Sequence, residues 1–289
     1  MRKFIPSGYI YSSLKHKQMK IICSYCIAAL LLLASCSHKV ITAGKTGSTA
    51  ANADQLKVLT YNIHHANPPS KPGFIDLDAV AQVIKNADAD LIALQEVDKF
   101  TKRSEGVDEA KVIAEKTGLN YQFFKAIDYD GGEYGLAILS KQPLEDTKQI
   151  ALPKAQEKAE NRILAYADIS LPGNKKITFA CTHLDVQSDA SRVMQVKTIL
   201  NEFKEAKHPV ILCGDLNSVA NTEAIRLLDG QFKRTCIENC PGTIPATRPN
   251  RTIDYIAVKN AGWEISEYRV VEETYASDHR PVLTIFKTK

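Results

Sequence analysis

Short apolar runs rich in β-branched and aromatic residues recur along residues 55–289, and six of them run into, or out of, a polar group able to bind a cation or a phosphate. The runs fall at 56–61, 91–94, 121–126, 136–139, 162–169, 177–182, 210–213, 253–258 and 282–286, separated by turn residues, and read as strands. LPGNKK (171–176) reads as a hairpin turn between two of them. Helical periodicity occupies other intervals. Residues 76–86 place Leu77, Val80, Ala81 and Ile84 on one face behind Asp76 as a cap, and 108–116 and 189–204 repeat that spacing, the latter through Val193, Val196, Ile199, Leu200 and Phe203. Helices that fall early and between hairpins require mixed sheets. Nine or ten strands and three helices in about 235 residues make an α/β (α+β) chain of two packed β-sheets with helices outside, in one domain.

The polar groups at the strand ends carry the chemistry. LKVLTYN delivers Asn62, followed by His64 and His65; DLIALQE delivers Glu96; KITFACTH delivers His183, with Asp185 after it. PVILCGDLN delivers Asp215 and Asn217, TIDYIAV opens with Asp254 near its start, and Asp278-His279 precedes the last strand. One edge of a mixed sheet carries the ends of some strands and the starts of others, so all six can converge there. Taken singly, each has a plainer reading: an Asn or Asp at a strand end forms turns, Glu96 is a surface charge, and His183 is a structural histidine. Together they are harder to place, because burying so many polar groups without a shared partner costs several kcal/mol. A divalent cation with an anionic substrate satisfies them jointly. A donor set of Asn, Glu and Asp without a cysteine cluster favours Mg²⁺ or Mn²⁺, with Ca²⁺ as a further option, over structural zinc. Successive strand residues face opposite ways, so at most one of His64 and His65 is expected to reach the site.

TYN, LQEV, TH followed by Leu-Asp, GDLN, IDYI and SDHRP, in that order across residues 57–283, resemble the endonuclease/exonuclease/phosphatase superfamily. The resemblance implies a four-layer αββα sandwich and metal-dependent hydrolysis of phosphodiesters or phosphomonoesters, by in-line attack of water. It implies Glu96 as principal metal ligand with Asn62 beside it, and Asp278 as a further metal-facing carboxylate. His279 is similar to the family's catalytic histidine, oriented by Asp254. Asp215 corresponds to the residue that positions or deprotonates water, Asn217 to a phosphoryl-oxygen donor, and His183 to a His or Tyr against the phosphate. Arg162 matches a family arginine near the site. Arg103 and Tyr134 are placed less firmly, as a substrate-phosphate contact and a pocket wall; an exposed charge is the alternative for Arg103.

The formal charge of +4 raises the question of nucleic acid, but its location answers against it. Residues 1–35 hold five basic residues and no acidic one, so removing these five from the 37 leaves 32 basic residues against 33 acidic ones. A sequence-independent nuclease needs a basic track. The working domain has none, Trp263 is its only tryptophan, and Asp128, Asp130 and Glu133 fall in an expected active-edge loop. A small phosphoester or a phospholipid headgroup is therefore the expected substrate, with an exported nuclease and a non-catalytic surface-binding lipoprotein as alternatives.

The 14-residue apolar run 21–34 is too short to span a bilayer and reads as the core of a secretory signal, with translation starting at Met19. Leu33-Ala34-Ser35-Cys36 resembles a bacterial lipobox, which implies a leader over 1–35, lipidation of Cys36, and a polar tether to residue 54 of about 23 Å span. The expected location is the bacterial cell envelope, anchored by lipid, ahead of a catalytic domain over 55–289. Cys181 and Cys213 lie in apolar strands and read as buried hydrophobes. Cys236 and Cys240, four apart in a loop, suit a disulfide in an exported protein, with free thiols as the alternative.

Overall fold

The computed structural model describes residues 54–173 and 175–288; Met19, Cys36 and the tether as far as residue 53 lie outside them. The first sheet runs in the order β11 (Glu264–Val270), β12 (Val282–Lys287), β1 (Gln55–Asn62), β2 (Leu91–Lys99), β4 (Gly132–Ser140), β3 (Asn120–Tyr129). The second runs β5 (Glu145–Leu152), β6 (Arg162–Leu171), β7 (Lys175–His183), β8 (Val210–Asp215), β10 (Asp254–Lys259), β9 (Lys233–Arg234). Each sheet contains one parallel pair, β1–β2 and β7–β8, and is otherwise antiparallel. The mixed character expected from the helix positions is present.

Side-chain alternation builds the layers. In β1, Leu56 and Val58 enter the core between the sheets, while Leu59 and Tyr61 turn outward onto the helices. Ile177, Phe179 and Cys181 of β7, Ile211 and Cys213 of β8, and Ile256 and Val258 of β10 complete the inter-sheet core. Helices α1 (Leu77–Ala87) and α2 (Glu109–Thr117) cover the outer face of the first sheet through Val80, Ile84 and Ile113. Helices α3 (Asp189–Glu202) and α4 (Glu223–Asp229) cover the second through Val196, Ile199 and Ile225. The result is the four-layer αββα sandwich. Each fully buried Leu, Ile or Phe contributes roughly 1.5–3 kcal/mol relative to exposure, which leaves such an interior tolerant of a few polar intrusions at its rim.

Local signals agree with the layers. Asp76 caps α1 by accepting from the Ala79 amide at 2.9 Å, Asp108 caps α2 at 3.0 Å, and Ser188 caps α3 at 3.1 Å; each cap contributes about 1 kcal/mol. Cys236 and Cys240 are joined by a disulfide, their Cα atoms 5.8 Å apart, and Cys181 and Cys213 are buried. No helix among the described residues is long and apolar enough to cross a membrane.

Gly214 sits one residue before the carboxylate that ends β8, with φ of +153°, and a Cβ there would lie 2.0 Å from the Thr182 carbonyl oxygen of β7. Close strand approach at the site therefore depends on glycine. Gly214→Ala is expected to destabilise the protein by about 1–3 kcal/mol, seen as a lower urea midpoint at unchanged slope.

Candidate active site

The alternation that fills the core also sets the site. Asn62 lies two residues beyond Thr60 and four beyond Val58, His183 two beyond Cys181, and Asp215 two beyond Cys213; Asp254 lies two before Ile256. Each therefore continues an inward-facing row past the apolar core into the gap between the sheets. Asp215 and Asp254 are register partners across β8 and β10, and His183 pairs with Asp215 across β7 and β8.

Glu96 reaches the gap differently. Ile92 and Leu94 of β2 face the helices, and plain alternation would send Glu96 after them. A bulge between Leu94 and Val97 puts Val97 in that outer row, and Glu96 takes a left-handed backbone with φ of 57°. Its Oε1 then accepts from Asn62 Nδ2 at 3.0 Å.

The same Asn62 amide donates to Asp215 Oδ2 at 3.1 Å, tying the two carboxylates together. Asn62 Oδ1 accepts from the His64 backbone amide at 3.1 Å, which leaves it a second lone pair. His279 Nδ1 donates to Asp254 Oδ2 at 2.9 Å, and its Nε2 stands 3.7 Å from Asp215 Oδ2. Arg162 Nη1 lies 3.1 Å from His183 Nδ1. A guanidinium only donates, so that nitrogen accepts and the ring proton sits on Nε2, which faces Asp215 Oδ2 at 3.5 Å. Asn217, also left-handed at φ of 47°, places its amide N–H on Asp215 Oδ1 at 2.9 Å and its Nδ2 on the Leu184 carbonyl.

These contacts drive the titrations apart. Burial opposes charge on His279, but the Asp254 carboxylate, by its field and its hydrogen bond, with Asp215 and Asp278 behind it, lifts the imidazole to about 10. Burial and then the Asp254 charge push Asp215 up to about 7, against the pull of His279 and of the Asn217 and Asn62 hydrogen bonds. Burial first, then Arg162 and His279, hold His183 well below its ordinary value and keep it neutral. A buried acid near neutrality beside a buried imidazolium is the arrangement that divides base and acid roles in a hydrolytic site.

Other residues take places the sequence did not fix. Tyr134 is buried with its hydroxyl toward Arg162, and burial and Glu96 hold it protonated. Both lie with His183 on the wall of a small cleft. Arg103 is not free to meet substrate with its whole fork. Nε and Nη2 are spent on Asp98 at 2.6 and 2.8 Å, and the guanidinium stacks on Tyr129 and Tyr134. Asp278 stands next to His279, whose imidazole its charge helps to lift, and one of its oxygens accepts from Ser277 Oγ.

The expectation for His64 and His65 is corrected. The strand ends at Asn62, and His64, His65 and Ala66 form a single left-handed turn with φ of 48°, 42° and 51°, so strand alternation no longer applies. Both rings come to Glu96, all donor atoms lying within 4.8 Å of one another. Burial, with Arg103 and His64, lowers His65 to about 4.

Two donor sets thus exist among the described residues: His64, His65 and Glu96, and the buried trio Asp215, Asp254 and His279. Buried His65 Nδ1 and Asp254 Oδ1 have no hydrogen-bond partner there. Orphaned donor atoms beside clustered carboxylates fit a divalent cation.

The sequence matches the endonuclease/exonuclease/phosphatase family over residues 59–279, and the chain belongs to that family. Among solved structures it is similar to an endonuclease/exonuclease/phosphatase of Beutenbergia cavernae (TM-score 0.70, 21% identity, 81% of this chain and 72% of that one). It is also similar to a mannosyl-6-phosphatase of Bacteroides thetaiotaomicron (0.66, 20%, 79% and 98%). A third is the human Nocturnin catalytic domain with bound sulfate (0.65, 18%, 82% and 95%). At these identities the likeness is one of fold. No curated protein matches the sequence. The family's hydrolases act on phosphoester bonds and typically use a divalent metal.

If Asp254 sets the charge of His279, Asp254→Asn will bring the His279 pKa down from about 10 by more than about one unit. Imidazole ¹⁵N chemical shifts followed against pH measure it.

Proposed function

We propose that this protein is a divalent-cation-dependent phosphoesterase that hydrolyses a phosphodiester, or a phosphomonoester, of a small molecule or phospholipid headgroup at the cell envelope. The observation that carries the reading is the pairing of Asp215, poised near neutrality, with the His279 imidazolium at 3.7 Å, beside the Asn62–Glu96 pair.

The roles follow from the contacts. Glu96 and Asn62 would hold the cation, Mg²⁺ or Mn²⁺ by their oxygen donors. Bound there, it would polarise the phosphoryl oxygen and stabilise developing charge. Asp215, fixed by the Asn217 and Asn62 hydrogen bonds, takes a proton from the attacking water. His279, oriented through Nδ1 by Asp254, offers its charged Nε2–H to the leaving oxygen and gives up that proton as the ester bond breaks. His183 and Arg162, hydrogen-bonded to each other, present N–H groups to the remaining phosphoryl oxygens, and Asn217 stands beside them. Water enters and the alcohol leaves without a covalent enzyme intermediate.

The choice of substrate rests on charge and on the rim. The domain carries no basic excess. Exposed Phe74, Phe100, Val186 and Val219 lie on the segments that follow β1, β2, β7 and β8, and exposed Tyr129 is the last residue of β3. Apolar side chains in those positions suit a substrate presented at a lipid surface, and a lipid on Cys36 would keep the domain there.

Hydrolysis of bis-(p-nitrophenyl) phosphate and its monoester analogue tests this reading. Activity is expected with Mg²⁺ or Mn²⁺ and to vanish with EDTA. Asp215→Asn and His279→Ala are each expected to lower kcat/KM by about 10²- to 10⁴-fold. Turnover that survives chelation and both substitutions would refute the mechanism, and plasmid nicking at low protein concentration would move the substrate to nucleic acid.

A further inference from the structure

We propose that the cation held by Glu96 is ligated by His64 and His65 as well, making this a nitrogen-containing site selective for a borderline transition ion over Mg²⁺. The inference deepens the proposed function and rests on Glu96 acting there as a cation ligand.

Three features of the two histidines carry it. His64 Nδ1 lies 2.9 Å from the Asn67 carbonyl oxygen. A carbonyl only accepts, so Nδ1 carries the proton and the lone pair is on Nε2; a backbone carbonyl orienting the non-ligating nitrogen is the usual support of a metal-bound imidazole. His65 Nδ1 is buried and lacks any hydrogen-bond partner among the described residues. A nitrogen left this way costs free energy unless something binds it. Finally, the rings stand edge to face with centroids 4.5 Å apart, and their donor atoms and a Glu96 oxygen lie mutually within 4.8 Å. Three ligands on one ion with bonds of about 2.1 Å stand about 3.0–3.6 Å from one another, so side-chain rotations that draw the three atoms together close the set.

The backbone is shaped to produce this arrangement. Four of the five residues His64, His65, Ala66, Glu96 and Asn67 lie at positive φ, Asn67 being the exception at −99°. Such conformations cost of order 1–3 kcal/mol at each non-glycine position and persist where the surroundings impose them. An extended continuation of β1 would have split the rings between opposite faces.

The donor chemistry selects the ligand. A carboxylate in the set disfavours an anion. Two imidazoles with one carboxylate suit Mn²⁺, Fe²⁺, Co²⁺ or Zn²⁺, whereas Mg²⁺ gains little from nitrogen.

The test uses the full chain stripped with EDTA and loaded with Mn²⁺, read by electron spin-echo envelope modulation for directly bound ¹⁴N. Wild type and His279→Asn are expected to show imidazole nitrogen, and His64→Gln or His65→Gln to lose part of that modulation. Mn²⁺ affinity in either glutamine variant is expected to fall roughly tenfold or more while Mg²⁺ affinity stays within about twofold. Absence of ¹⁴N modulation in wild type, or its loss only in His279→Asn, would overturn the proposal. Those two proteins decide the matter even if the glutamine variants fail to fold. Failure of the hydrolase reading would look different: the nitrogen signature would be intact in a protein with no cation-stimulated phosphoester hydrolysis.

Discussion

Asn62 holds two carboxylates with one amide group, and the rest of the site is arranged around that bridge. Its Nδ2 joins Glu96 on one sheet to Asp215 on the other, at 3.0 and 3.1 Å, where both sheets run out of apolar side chains. The geometry is inherited from packing. A period-two row that places Val58, Cys181, Cys213 and Ile256 in the shared core cannot avoid placing Thr60 and Asn62, His183, Asp215 and Asp254 in the same gap. The polar groups meet because the hydrophobic ones do. Their mutual hydrogen bonds offset part of the desolvation, and the remainder appears as the raised pKa of Asp215 and the orphaned Asp254 Oδ1.

Where packing alone would misplace a residue, the chain departs from regular structure. Glu96 is turned from the helix-facing row by a bulge, and His64 and His65 are gathered by a left-handed turn instead of being split by a strand. Gly214 removes the Cβ that would hold β7 and β8 apart beside Asp215. These three departures lie at the one rim where the strand ends converge; further irregularities of register fall in β3, β5 and β11 at the sheet edges. Stability is supplied by the sandwich, and part of the backbone strain falls beside the site carboxylates, at His64, His65, Ala66, Glu96 and Asn217.

Most of this was legible in the sequence, because it depends on strand ends and polar residue type. Asn62, Glu96, His183, Asp215, Asp254 and His279 follow or precede apolar runs, and the structure brings them together. What was hidden has physical causes. β5 (EDTKQIAL) and β11 (EISEYRV) are exposed edge strands, so their sequences lack the apolar run that marks a central strand. The two residues of β9 and the seven of α4 are too short for periodicity to register. Strand alternation separates His64 from His65 only while β1 continues, and no glycine or proline at residues 63–66 announces the left-handed turn that gathers them. Arg103 reads as a free cation until Asp98, five residues earlier, is seen to occupy two of its donors. The Asp98 side chain is buried and also accepts from Thr101 and Ser104.

In the proposed function this polar rim is one cation-binding centre and not a set of independent strand-end turns. Anomalous diffraction from a crystal grown with Mn²⁺ addresses it directly. A peak is expected within about 2.0–2.2 Å of a Glu96 carboxylate oxygen, in the gap bounded by Asn62, Asp215 and His279. Peaks confined to exposed carboxylates, with Glu96 unliganded at saturating Mn²⁺, would contradict it.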